Sequence, residues 1–335
     1  MMPAQADPKT EPIATRHAYG DALAELGELH DEVVALDADL AVSTQSIKFG
    51  KRFPERFFNV GAAEANMMSM ACGLAATGKV PYCSTFAIFA TGRAYDQVRL
   101  GIAHNELKIR IGASHGGVSL GEDGASHQMI EDLALMRAMP RMTVVVPADY
   151  NQAYRATVES YERDEPMYMR FGRPATPIVY ESIPESLGGG VEVLREGKDI
   201  SLIATGHMVW RAMEAAESLE QEDGVEAEVL NVSIIKPLQS EAVLESLSKT
   251  GVAVTAEEHR VVGGLADAVR QLAAEQHPVP IFAVGMGDEF GISGTGEACM
   301  EHFGLTARGI ADRAREALVL KPIVSRPPLF GPQWI

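Results

Sequence analysis

The chain is predicted to form two doubly wound α/β domains, each a parallel sheet with helices on both faces. Three observations predict this. Strand-like and helix-like runs alternate along most of the 335 residues, the pattern of parallel sheets joined by crossover helices. The alternation breaks once, in PATPIVYESIPESLGGG from Pro174 to Gly190, whose prolines and glycines read as a linker, and then resumes. The length suits about two domains of ordinary size, and an apolar content of 46% is enough to fill two cores.

The expected layout is a tail over 1–12, a first domain over 13–175, a linker over 176–190, a second domain over 191–320 and a tail over 321–335. In the first domain, strands are expected at Val33–Leu36, Val80–Thr85, Lys108–Ala113, Thr143–Val146 and Met167–Phe171. Helices are expected at Ala18–Leu29, Glu64–Ala76, Gly92–Ala103, Gln128–Met139 and Tyr150–Tyr161. In the second, the strands are Ile200–Ala204, Glu226–Asn231, Val252–Thr255 and Val279–Val284. The helices are Trp210–Glu220, Glu241–Leu247, Ala266–Glu275, Glu297–Phe303 and Thr306–Leu318. Ligands in such folds sit beyond the C-terminal ends of the strands. The proline-rich stretch after Leu320 has no period and receives no role.

Composition excludes several functions. No apolar run approaches the roughly 20 residues that span a bilayer. The start, MMPAQADPKTEP, lacks an apolar signal stretch and reads as a frayed tail, so a cytoplasmic home is expected. Cys72, Cys83 and Cys299 are far apart and form neither a disulfide framework nor a CxxC metal site. The net charge of −17 argues against nucleic acid as a partner. Residues up to 180 carry −5 of it and the remainder −12, so the first half is the better place for an anionic ligand.

Three segments concentrate chemistry. In NVGAAEANMM, Glu64 opens an Ala/Met-rich helix. Taken alone, a carboxylate there is explained by the helix dipole. In SHGGVSLGEDGASHQ, two histidines and two carboxylates share a Gly/Ser-rich loop after a strand, where function collects. A surface turn, with Asp123 or Ser126 capping the next helix, is the plainer explanation. In STFAIFATG, Phe86 and Phe89 lie three apart at the end of a buried strand, as core residues also would. Asp37 and Asp39 close the strand VVALDADL. Arg170 and Arg173, in YMRFGRP, suit either an anion or surface pairs. The run GMGDEFG imitates a dinucleotide loop, but its third glycine, Gly291, falls one position late.

In this order and spacing, the segments resemble the C-terminal two thirds of transketolase, from about Ile13 to Ala317. NVGAAEANM resembles the segment with the family's catalytic glutamate, STFAIF the aromatic pocket for the thiamine pyrimidine, and GEDGASHQ its most diagnostic string. The resemblance implies a pyrimidine-binding domain followed by the family's C-terminal domain. It implies that Glu64 pairs with the pyrimidine, that Phe86 and Phe89 pack it, and that Asp39 lines the cofactor site. It also implies that His115 and His127 bind substrate and assist proton transfer, that Asp123 reads a donor hydroxyl, and that Arg16, Ser43 and Arg170 grip a phosphate. Gly92 stands where the family has a third pocket aromatic.

The family holds the cofactor's diphosphate and Mg²⁺ (or Ca²⁺) on an upstream domain, through a GDG motif and a later asparagine that this sequence lacks. The resemblance therefore implies the second subunit of a split transketolase. Its partner would be an N-terminal subunit carrying the GDG…N domain, the assembly an α₂β₂ heterotetramer, and the substrates sugar phosphates. Three alternatives stand. YDQV at Tyr95–Val98 is similar to 1-deoxyxylulose 5-phosphate synthase, although that family has arginine where Gly116 stands. The β subunit of a 2-oxoacid dehydrogenase shares the architecture but lacks the GEDGxxHQ string. A non-catalytic α/β interaction subunit would not be expected to keep Glu64, Asp123, His127 and Arg170 together.

Overall fold

A computed structural model describes residues 7–324. The strands, in chain order, are β1 (Val33–Asp37), β2 (Phe57–Asn59), β3 (Val80–Phe86), β4 (Arg110–Ser114), β5 (Thr143–Val145), β6 (Met167–Phe171), β7 (Val191–Arg195), β8 (Ile200–Ala204), β9 (Ala227–Val232), β10 (Ile234–Lys236), β11 (Ala253–Arg260) and β12 (Ile281–Met286). The helices are α1 (Thr15–Leu29), α2 (Ala41–Thr44), α3 (Ile47–Arg52), α4 (Glu64–Ala76), α5 (Asp132–Ala138), α6 (Tyr150–Ser160), α7 (Met208–Asp223), α8 (Ser240–Thr250), α9 (Leu265–Gln276), α10 (Gly296–His302) and α11 (Ala307–Val324).

Two sheets form, in the orders β10-β5-β6-β4-β3-β1-β2 and β12-β11-β8-β9-β7. Both are parallel except for one edge strand each: β10 runs antiparallel to β5, and β7 antiparallel to β9. The α/β class is as expected. The two antiparallel edges and the short β2 are additions, because three-residue strands such as β2 and β10 carry too little pattern to read. Strand β10 lies between two strands of the second sheet in sequence, yet it completes the first sheet.

Alternation along the strands sends successive side chains to different cores. Val33 and Ala35 of β1 join α1 and α6, through Leu23, Leu26 and Tyr154, on one face of the first sheet. Val34 and Leu36 join Met67 and Met68 of α4 on the other. That second core continues without a break to Ile203 and Leu230 of the second sheet and to α8 and α9. Leu202 and Ala204 face a third core under α7 and α11. One apolar layer is thus shared by both sheets.

Some helices differ from expectation. The expected helix Gly92–Ala103 is replaced by two wide π-type turns, Phe89–Arg93 and Gln97–Ala103. Such turns often occur at functional sites. Helix α5 begins at Asp132 rather than Gln128, and the Gln128 side chain donates to the carbonyls of Val118 and Ile292, at 3.1 and 2.8 Å. Helix α11 runs past its expected end at Leu318 to Val324; the tail beyond 324 lies outside the described residues. At the other end, Lys9 exchanges two backbone hydrogen bonds with the Asn151 side chain at 2.9 and 3.0 Å, so this part of the supposedly frayed start is anchored. Residues 1–6 lie outside the described residues.

The seam between the sheets is polar. Arg170 on β6 is 6% exposed and donates from Nε to Asp132 at 2.9 Å. Its Nη2 donates to the carbonyls of Met129 and Glu258 at 3.1 and 3.0 Å. Tyr168 donates to the same Asp132 oxygen at 2.7 Å. His259 Nε2 accepts from the Ala134 amide at 3.3 Å, and its Nδ1 lies 2.6 Å from the Arg260 carbonyl. These contacts require a neutral ring protonated on Nδ1, in keeping with burial that lowers its pKa to about 4. Removing one partner of a buried ion pair strands the other charge. Arg170→Ala is therefore expected to lower stability by about 3–5 kcal/mol in denaturant unfolding. A loss under about 1 kcal/mol would show that the pair has no structural weight.

Candidate active site

Glu64 is the first residue of α4 and is 3% exposed. Its carboxylate meets the guanidinium of Arg93 at 3.2 Å, while Arg93 remains half-exposed. Arg93 also lies 4.1 Å from the ring centroid of Phe89. Phe86 and Phe89 are nearly parallel at 5.8 Å. His115 stacks on Phe86 at 3.9 Å, and His127 stands edge-on to Phe89 at 5.5 Å. Glu64, Phe86, Phe89, His115 and His127 are thus brought together. They come from the C-terminal end of β3 and the turn after it, from the loop that follows β4, and from the start of α4, as a doubly wound sheet demands. A side chain at Gly92 would meet open space, so the position of the family's third aromatic is vacant and Arg93 covers Phe89 instead.

A second group supplies positive charge. Arg16 Nη1 donates to the Ser43 carbonyl at 2.8 Å, which places those two residues together. Burial lowers the pKa of Arg16, and Arg173 lowers it further. The same two guanidinium groups act on His115. Burial first, then Arg16 and Arg173, push the His115 pKa down to about 3. His115 is therefore a neutral donor and acceptor near pH 7. Its Nδ1 lies 2.9 Å from Ser114 Oγ.

Asp39 is exposed, in a left-handed conformation with φ 66°. Its amide and that of Gly61 donate to Asn59 Oδ1 at 3.1 and 3.0 Å, which ties the loop carrying Asp39 to the one leading into Glu64. Asp37 is buried and organises the loop, accepting from the Leu40 amide, Thr44 Oγ1 and Ser46 Oγ at 2.6, 2.8 and 2.8 Å. Asp123 is exposed on the loop that also holds His127. That loop rests on the second domain. A side chain at Gly296 would strike the Ser119 carbonyl, and one at Gly291, the last glycine of the run that imitated a nucleotide loop, would strike the Gln128 side chain, so both glycines serve close approach.

Arg170 does not join the site. Its Nε and Nη2 are engaged with Asp132 and two carbonyls inside the seam. Arg173, three residues on, lies close enough to Arg16 and His115 to act on both. It donates to the Leu120 carbonyl and to Glu122 at 2.8 Å. Burial separates the two: Arg170 lies inside a strand buried at every position, whereas Arg173 follows its end. Sequence reading also missed Arg93, which it placed inside an expected helix, and the run Glu257–His259, because it ended that strand at Thr255. Among the described residues, no group of three or more His, Cys, Asp or Glu side chains is placed to hold a metal, and no helix is long and apolar enough to cross a membrane.

Comparison with known proteins matches this arrangement. Residues 11–178 match the transketolase pyrimidine-binding domain, and residues 189–310 match the transketolase C-terminal domain. A putative transketolase C-terminal section of Methanocaldococcus jannaschii is 42% identical over 307 residues, covering 90% of this chain and 96% of the relative. A 6-deoxy-6-sulfo-D-fructose transketolase subunit of Clostridium sp. strain MSTE9 is 42% identical over 309 residues, covering 92% and 95%. Human transketolase is 36% identical over 307 residues, but these are 49% of its length. Among solved structures, a split-gene transketolase described as an inactive β4 tetramer superposes with a TM-score of 0.86 at 47% identity, covering 92% of this chain and 99% of that one. The chain belongs to the transketolase family, where it stands with the C-terminal sections and subunits of split transketolases.

Proposed function

We propose that this chain is the subunit of a thiamine diphosphate-dependent transketolase that binds the pyrimidine end of the cofactor. The enzyme moves a two-carbon ketol unit from an anionic ketose to an aldose. A partner chain holds the diphosphate and its Mg²⁺ or Ca²⁺. The carrying observation is the buried carboxylate of Glu64 at the head of α4, joined through Arg93 to the stack of Phe89, Phe86 and the two histidines. A dry acid beside parallel rings fits an aminopyrimidine, which needs a planar slot and a proton partner at one ring nitrogen.

When bound, thiamine diphosphate supplies the electron sink for cleaving a carbon–carbon bond beside a carbonyl. Glu64 holds a proton at the pyrimidine N1′, in a site where desolvation strengthens the interaction. Phe86 and Phe89 pack the ring and exclude water, and Asp39 lines the approach. His115, kept neutral, accepts from or donates to a substrate hydroxyl. His127 moves a proton at the reacting oxygen, and Asp123 reads a second hydroxyl. Arg16, the Ser43 segment and Arg173 receive the terminal anion, where a guanidinium pairs well with an oxyanion. Related subunits are named for 6-deoxy-6-sulfo-D-fructose and for apulose-4-phosphate, which favours a terminal phosphate or sulfonate as the recognised group.

Three outcomes are expected. The chain alone should lack ketol transfer, and the N-terminal partner should restore it in an α₂β₂ complex; robust turnover by the purified chain alone would refute the need for a partner. Glu64→Gln should slow exchange of the cofactor's C2 proton for deuterium in the assembled enzyme by at least about 10²-fold. Unchanged exchange would mean that another group activates the cofactor. Arg173→Ala should raise KM for a phosphorylated or sulfonated ketose about 10- to 150-fold, the worth of one charge-assisted hydrogen bond. The same sugar without its anion should be nearly unaffected, and equal weakening of both would remove Arg173 from the anion site.

A further inference from the structure

The strand order of the second sheet defines a ligand crevice. From β8 the chain builds outward to β9 on one side, then crosses to β11 and β12 on the other. The reversal falls between β8 and β11, and doubly wound sheets bind ligands beyond the C-terminal ends of such a strand pair. Here that place is bounded by Thr205, Gly206 and His207 after β8, and by Glu257, Glu258 and His259 at the end of β11. It is filled by the first domain. The segment after His115 enters it, leaving a cavity of about 20 Å³ lined by Gly116, Arg170, Thr176, His207 and Glu258 among others. That volume holds one water and is far too small for a cofactor.

Glu258 makes the closest approach to the intruding segment. Its Oε1 accepts from the Ser119 amide at 2.6 Å, and it is 4% exposed. A side chain at Gly117 would collide with this carboxylate, and Gly117 also has φ +87°, so glycine is required there twice over. From the other side, the Gly117 amide donates to the Met129 carbonyl at 2.7 Å, which also accepts from Arg170. The segment is thus held between Met129 and Glu258. Its first residue, His115, has φ +61°, a conformation that is costly for a residue with a side chain and persists only when its surroundings enforce it.

We infer that the ligand crevice of the C-terminal domain has been given over to the His115 loop, and that Glu258 is the positioning residue that keeps His115 stacked on Phe86 and facing the substrate. This rests on the proposed role of His115 for its effect on turnover, but not for its effect on the loop. Glu258 touches neither substrate nor cofactor; it acts through the Ser119 amide.

The test measures hydrogen–deuterium exchange and kinetics on the complex with the partner chain. Glu258→Ala should speed exchange of the amides of residues 116–120 by roughly tenfold or more, the worth of a hydrogen bond to a charged group, while those of β8 stay unchanged. Glu258→Gln keeps an acceptor and should restore protection. Gly117→Ala, which displaces the carboxylate from the loop side, should loosen the same amides. KM for the ketose should rise about tenfold in Glu258→Ala and return in Glu258→Gln, with C2 proton exchange unaffected. Unchanged exchange of residues 116–120 in both Glu258→Ala and Gly117→Ala would overturn the inference, as would loosening spread equally over the whole second sheet. Local loosening with unchanged KM would uphold the clamp and instead refute the substrate role of His115.

Discussion

A buried charge has to be answered, and in this molecule the charge is Arg170. Its guanidinium lies between the two sheets, where an unpaired cation would cost several kcal/mol. Asp132 answers it, together with the carbonyls of Met129 and Glu258. These partners come from the start of α5, from the segment before it and from β11, so satisfying one side chain fixes three parts of the chain relative to β6. The Met129 carbonyl also accepts from Gly117, which extends the same constraint to the loop behind His115.

The electrostatics of the site follow from that closure. Excluding water around His115 favours its neutral form, and the nearby Arg16 and Arg173 reinforce this. A neutral imidazole stacks on Phe86 without adding to the local positive charge, which comes from Arg16 and Arg173. Glu64 stands apart, at the head of α4, where the helix dipole favours a carboxylate and Arg93 pairs with it from the surface side. The buried carboxylate and the Arg16–Arg173 pair are thus built on different elements, with Arg93 reaching Phe89 from one and His115 stacking on Phe86 beside the other.

The second domain contributes packing and a polar edge. Its core merges with that of the first domain through Ile203 and Leu230, so the two sheets share one apolar layer. At the end of β11, three consecutive side chains perform three tasks. Glu257 accepts from the Leu265 and Ala266 amides at the start of α9, at 2.6 and 2.8 Å. Glu258 holds the Ser119 amide, and His259 accepts from α5. Burial pushes the Glu257 pKa up to about 8 and raises that of Glu258.

Local pattern was enough to read the α/β class and most strands, because strand alternation is a property of a few neighbouring residues; the candidate site segments were picked out by their resemblance to transketolase in order and spacing. Helix α4 matches its expected bounds from Glu64 to Ala76, since an Ala/Met-rich run with an acid at its head leaves little choice. The sequence by itself placed Glu64 at a helix start and Phe86, Phe89 and His115 at or just after strand ends, with His127 in the loop that follows. It could not distinguish Arg170 from Arg173, three residues apart, because their difference is the presence of Asp132 and Glu258, which are distant in the chain. Nor could it show that β10 completes the first sheet, that glycines 117 and 296 make room for contacts between domains, or that His115 is neutral. Those outcomes depend on which atoms burial brings within a few ångströms of each other, and only the tertiary structure decides that.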